Sequence, residues 1–236
     1  MLIDNGIAGL ELVYHFVQRD FAHTPALLWD DHDVVLCDTG MPGLLPELKK
    51  QMEALDVPFE SINKIIISHH DIDHIGNLKE IKKLLPQAKV YASAVEKPYI
   101  EGKKPAVKSL ENTLRGVPEE HKKDFDDPYG VTVDETVKGG EVLPFCGGVE
   151  IIDTPGHCPG HISLLHRKSR TLISNDAVCF LQGKIVAPFN TPDLPKAYDS
   201  IRRLARMDYD QILFYHGGFQ GKGIHKELED FAKTLH

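Results

Sequence analysis

The stretch Lys64-Ile65-Ile66-Ile67-Ser68-His69-His70-Asp71-Ile72-Asp73-His74 decides how the rest of the chain is read. A short β-branched run bounded by polar residues marks a strand buried on both faces, as in a parallel sheet. Directly after it, His69, Asp71 and Asp73 project to one side of an extended loop, and His74 turns in from the start of a helix. Four ligand-type side chains thus converge in one short loop. Imidazole nitrogens with carboxylate oxygens suit zinc, iron or manganese. The plainer reading is a polar loop whose Asp73 caps the following helix.

Working outward, a helix is predicted over 75–85, closed by Pro86, then a strand over 89–92. Upstream, a strand is expected over 10–17. The runs 26–29 and 34–37 flank Asp30-Asp31-His32-Asp33 as a hairpin. Asp38-Thr39-Gly40 then breaks the chain before a helix over 44–55. Residues 94–135 are polar, rich in Lys and Glu, and carry Pro98, Pro105, Pro118 and Pro128. They read as an insertion or helical cap, too short for a core of its own. The second half offers strands at 141–145 and 149–153, a hairpin of 162–166 with 171–174, and a strand pair or bend around Gln182-Gly183. A helix over 194–207, a buried strand over 211–215 and a closing helix from 223 follow. Both halves run hairpin, helix, apolar strand, terminal histidine. That order suggests one domain over 1–236, built from two similar halves with facing sheets.

Three further loops carry polar residues after apolar strands. Asp153-Thr154-Pro155-Gly156-His157-Cys158-Pro159-Gly160-His161 is stiffened by its prolines. His157 is its better ligand candidate, and His161 is placed to support the site by hydrogen bonding. Asp176 follows an apolar strand, where a carboxylate must be paired or metal-bound, because a lone buried charge is costly. His216 ends the strand 211–215. Each of these, taken alone, also reads as an ordinary turn or a structural histidine.

Taken together, His69-x-Asp71-x-Asp73-His74, Thr154-Pro155-Gly156-His157, Asp176 and His216-Gly217 resemble the metallo-β-lactamase superfamily. The resemblance extends from Asp38-Thr39-Gly40 to His216, with layout closest to small lactonase-like and glyoxalase II-like members. It implies an α/β fold, a four-layer αββα sandwich of two mixed β-sheets flanked by helices. It also implies two divalent metal ions at one edge of the sheets. The first is assigned to His69, Asp71 and His157, the second to Asp73, His74 and His216, with Asp176 bridging. His70 falls on a variable position and points away. The family pattern has a histidine where this chain has Asp71. That carboxylate is harder than imidazole and shifts preference toward iron or manganese, with zinc kept ahead. The alternative is a weakened first site with one tight metal or none.

A metal pair lowers the pKa of a bridging water and polarises a substrate oxygen, so the resemblance implies a hydroxide nucleophile. Asp73 is the catalytic candidate, orienting that hydroxide and passing a proton. The expected activity is hydrolysis of a small ester-like substrate: a lactone, thioester or phosphoester. Lactam cleavage is not expected, because the commonest zinc β-lactamases carry cysteine at the place of Asp176. Acyl-homoserine lactonases often have tyrosine at the place of Cys179, with Tyr198 or Tyr215 as substitutes. The competing classes are a non-haem iron (sulfur) dioxygenase on the same fold and a non-catalytic ligand-binding member.

Composition agrees with this frame. The 236 residues are 42 % apolar and 26 % charged, an ordinary globular balance. Lys+Arg 27 against Asp+Glu 35 gives −8, which repels nucleic acid. The lysine-rich stretch 97–108 reads as a solvated face. Cys37, Cys146, Cys158 and Cys179 form no Cys-x-x-Cys pair and read as buried thiols of a reducing compartment. No signal peptide or membrane span is legible, so the expected setting is the cytoplasm, with a small-molecule substrate. A homodimer is compatible with the sequence.

Overall fold

The computed structural model describes residues 1–16, 19–108 and 128–236. Among the described residues, the first sheet runs β1 (Leu2–Asp4), β2 (Ile7–Gly9), β5 (Ala26–Trp29), β6 (Val34–Cys37), β7 (Lys64–Ile67), β8 (Lys89–Ser93), β9 (Glu135–Val137). Pairing is antiparallel as far as β6 and parallel from β6 to β9. The second sheet runs β10 (Val142–Leu143), β11 (Val149–Asp153), β12 (Ile162–His166), β13 (Thr171–Asn175), β16 (Gln211–Phe214), β17 (Gly218–Gln220). Its β13–β16 pair is parallel and its other pairs are antiparallel. Two hairpins stand apart, β3 (Leu12–Phe16) with β4 (Arg19–His23) and β14 (Cys179–Leu181) with β15 (Lys184–Val186).

Alternation along these strands builds the layers. Leu28, Val35 and Ile66 bury against Ile151, Leu164, Ile173 and Leu213 of the second sheet. Their neighbours Leu27, Leu36, Ile65 and Ile67 turn the other way, onto Leu45, Leu48 and Met52 of α1 (Leu45–Glu53). Behind the second sheet, Leu165, Leu172 and Ile212 meet Ile201 and Leu204 of α5 (Leu194–Leu204) and Leu228 of α6 (Ile224–Thr234). Each such side chain contributes about 1.5–3 kcal/mol relative to exposure. The result is the helix–sheet–sheet–helix stacking expected from the sequence. No helix among the described residues is long and apolar enough to cross a membrane.

Several elements differ from the sequence reading. The helix expected over 75–85 is divided into α2 (Ile72–Ile75) and α3 (Leu78–Leu84). The loop after β6 presses on the break: a Cβ at Gly76 would collide with Pro42. The Asn77 amide there donates to the carbonyls of Thr39 and Met41 at 2.6 and 2.7 Å. The structure adds a β1–β2 hairpin that turns on Asn5-Gly6, with Gly6 at φ 92°. Of the strand expected over 10–17, residue 17 lies outside the described residues. So does 109–127 of the segment 94–135, whose ends include α4 (Lys97–Ile100) and β9. Val131 and Val133 of that segment are buried in the core rather than on a polar face.

Candidate metal centre

The polar residues singled out in the sequence gather where strands of both sheets end. Asp38 follows β6, Ser68 to His74 follow β7, Asp176 follows β13 and His216 lies just past β16. Asp38 and Asn175 take left-handed backbone conformations, φ 61° and 48°, which turn the chain sharply at the ends of β6 and β13. Gly156 and Gly217 hold two of the loops close. A Cβ on the first would run into the Ala197 backbone, and on the second into the Phe180 carbonyl.

Two groups result. His69, Asp71, His157 and Cys158 form one, and Asp73, His74, Asp176 and His216 the other; within each, the ligand atoms lie within 4.8 Å of one another. In the first, Asp71 Oδ2 is 3.3 Å from His69 Nε2 and 3.1 Å from His157 Nε2. In the second, His216 Nε2 is 3.4 Å from both Asp73 Oδ2 and Asp176 Oδ2, and His74 Nε2 is 3.5 Å from Asp176 Oδ1. Asp176 joins the groups, because its Oδ2 is also 3.3 Å from His157 Nε2. Donors about 2.0–2.1 Å from a tetrahedral ion stand roughly 3.3 Å apart, so this spacing suits ligands facing one centre.

Three of the donor atoms are left free for such a centre. The buried His69 Nε2, His74 Nε2 and Asp176 Oδ1 have no hydrogen-bond partner, a costly state for polar atoms unless an ion takes them. Asp38 and Ser68 fix why. The Ser68 hydroxyl donates to Asp38 Oδ2 at 2.6 Å and accepts from His69 Nδ1 at 2.9 Å. His74 Nδ1 donates to the same Asp38 oxygen at 2.7 Å. Both Nδ1 protons are thereby engaged, and both Nε2 lone pairs point into the groups, as partners behind metal ligands arrange. The residues present fit a divalent ion.

Charge points the same way in the second group. Burial pulls His216 down, but Asp176 and Asp73 beside it raise it to about 10. Burial also opposes charge on His74, yet Asp176, Asp73 and Asp38 hold its imidazole well above the usual range. Asp176 is held well below the carboxylate range by His216 and His74, against the effect of burial. Two carboxylates draw positive charge onto two imidazoles, the demand a dication meets.

His161, expected to support the site, lies beside Asp176. Its Nε2 accepts the Asp176 backbone N–H at 3.0 Å, and its Nδ1 donates to Thr154 Oγ1 at 2.8 Å. His70 points away, its ring hydrogen-bonded to buried Glu96 and stacked on Tyr99. Tyr215 is spoken for, stacked on His74 and donating to the Asp73 carbonyl, so the substitute role suggested for it finds no free hydroxyl. Four participants escaped the sequence reading. Buried His23 lies 3.6 Å from Asp73 through its Nε2, and burial lowers its pKa to about 4. Asp38 was read only as a chain breaker. Cys158 stands 3.6 Å from Asp71 Oδ1. Lys108 is the exception to the solvated reading of 97–108, which holds for Lys103 and Lys104. Its side chain is 7 % exposed, and its ammonium donates to Asp71 Oδ2 and, at 2.6 Å, to His157 Nε2.

Comparison with known proteins agrees with this geometry. The family model described as the metallo-beta-lactamase superfamily matches residues 19–216. A probable metallo-hydrolase, YflN, of Bacillus subtilis is 28 % identical over 87 % of this chain and 84 % of its own length. The hydroxyacylglutathione hydrolase GloC of Haemophilus influenzae is 27 % identical over 91 % of this chain and 94 % of its own. A solved metallo-beta-lactamase family protein from Thermus thermophilus superposes with a TM-score of 0.72 at 22 % identity. That match covers 97 % of this chain and 79 % of the other, a likeness of fold.

Proposed function

The chain belongs to the metallo-beta-lactamase superfamily, and from that premise we propose that it is a metal-dependent hydrolase of small ester-like substrates. The observation that carries this reading is the shared Asp176, whose Oδ2 lies 3.3 Å from His157 and 3.4 Å from His216. His69, Asp71 and His157 are the proposed holders of one divalent ion, and Asp73, His74 and His216 of a second, with Asp176 between. Zinc is the first choice, and iron or manganese the second because of Asp71. Bound there, a divalent ion supplies Lewis acidity and a water acidified toward neutrality.

The chain's own residues do the rest. Asp73 Oδ2, 3.4 Å from His216 and partly open to solvent, orients the attacking water and accepts its proton. That water forms the new bond to the acyl carbon or phosphorus as the ester or thioester bond breaks, and the proton passes to the leaving oxygen or sulfur. His161 fixes Asp176 through its backbone, and Asp38 fixes His74. Within the ester-like class, the likeness to a hydroxyacylglutathione hydrolase favours a thioester over a lactone or phosphoester. The four free, buried cysteines favour a reducing setting such as the cytoplasm.

The test is turnover of a panel of thioesters, lactones and phosphodiesters by chelator-stripped protein, before and after zinc, manganese or ferrous iron is restored. Metal-restored hydrolysis of one class supports the reading, and equal turnover with and without metal refutes it.

A further inference from the structure

Lys108 sits where the first metal ion is expected. Its ammonium donates to Asp71 Oδ2 and to His157 Nε2 at 2.6 Å, two of the three donors assigned to that ion. An ammonium has only protons to give. His157 Nε2 must therefore accept with its lone pair, the same lone pair that a metal needs. Asp71 brings a negative charge to a place where the family pattern has a neutral imidazole, and Lys108 returns the balance to zero. The lysine is not a wandering surface side chain. The preceding Val107 N–H donates to His70 Nε2 at 3.1 Å. The His70 ring is fixed in turn by buried Glu96, which also accepts the Gly160 N–H at 2.7 Å. Among the described residues, the second group contains no such cation: Asp73 and Asp176 face only imidazoles there.

We propose that the Lys108 ammonium is the resident cation of the first group, so that metal fills the Asp73–His74–Asp176–His216 group first and enters the other only when Lys108 withdraws. The Asp71 and Lys108 pair then sets how many ions the protein carries. The proposal rests on the metal-dependent reading above, and its test separates the two.

The full chain is stripped with chelator, equilibrated with zinc, passed through a desalting column and analysed for zinc per chain by mass spectrometry. Wild type is expected to keep close to one equivalent. Lys108→Met, which retains the apolar stem and loses the charge, is expected to keep two. Calorimetric titration is expected to show the second equivalent binding at least about tenfold tighter in the variant, some 1.4 kcal/mol. Asp71→His, which removes the carboxylate that attracts Lys108, is expected to move the count in the same direction and guards against misfolding of the first variant. Wild type and both variants keeping the same count, whether one or two, overturns the role of Lys108 alone. No zinc retained by any of them overturns the metal-dependent reading and this proposal with it.

Discussion

The two donor groups both combine histidine with aspartate, lie side by side and meet at Asp176, yet they differ in what balances their charge. In the first, a lysine ammonium meets Asp71 and takes up the His157 lone pair. In the second, two carboxylates face His74 and His216, and among the described residues no ammonium stands beside them. Counting ligands makes the groups equivalent, and counting charge does not. A metal group is defined as much by the positive charge it lacks as by the donors it has, because a buried uncompensated charge costs several kcal/mol.

The largest expected effect breaks the second group. His74→Ala is expected to abolish retained metal and bring hydrolysis to the uncatalysed background, with secondary structure by circular dichroism unchanged. His157→Ala is expected to keep the metal of the second group while losing turnover, and equal metal loss in the two variants would erase the distinction between the groups. Next in size is Asp38→Asn, which leaves His74 Nδ1 and Ser68 without a charged acceptor. Loss of such a partner behind a ligand typically costs about 10–100-fold in metal affinity, to be read by competition with a chelating dye. His161→Phe removes the acceptor of the Asp176 N–H. A buried unsatisfied donor costs about 1–3 kcal/mol, each kcal/mol lowering Tm by about 2–4 °C at this chain length, measurable by calorimetry. The smallest effect sharpens the contrast within one lysine-rich segment. Lys103 pairs with Glu101 but is 69 % exposed. Its replacement by alanine is expected to change stability by less than about 1 kcal/mol and metal content not at all.

Two facing sheets were legible in the order of the apolar runs, and the four-layer sandwich only through the resemblance that the motifs carry. The seven candidate ligands were named through the resemblance that the motifs carry, and the structure brings them together in two adjacent groups. Sequence could not show Asp38 as the partner of His74, since the two are far apart in sequence and are brought together by the parallel pairing of β6 with β7 and by Thr39 donating to the His74 carbonyl. The division of the helix at Gly76-Asn77 likewise depends on the loop from Asp38 to Pro42 packing against it. Lys108 was hidden by its setting. A lysine among lysines reads as surface, and its place beside Asp71, next to the bond from Val107 to His70, is set by tertiary contacts.

The most direct test of this asymmetry is anomalous scattering at the zinc edge from crystals of the full chain grown from stripped protein with one equivalent of zinc. The account predicts a single peak bounded by Asp73, His74, Asp176 and His216, with the Lys108 ammonium still on Asp71 and His157. A peak between His69, Asp71 and His157, or equal peaks in both groups, would contradict it.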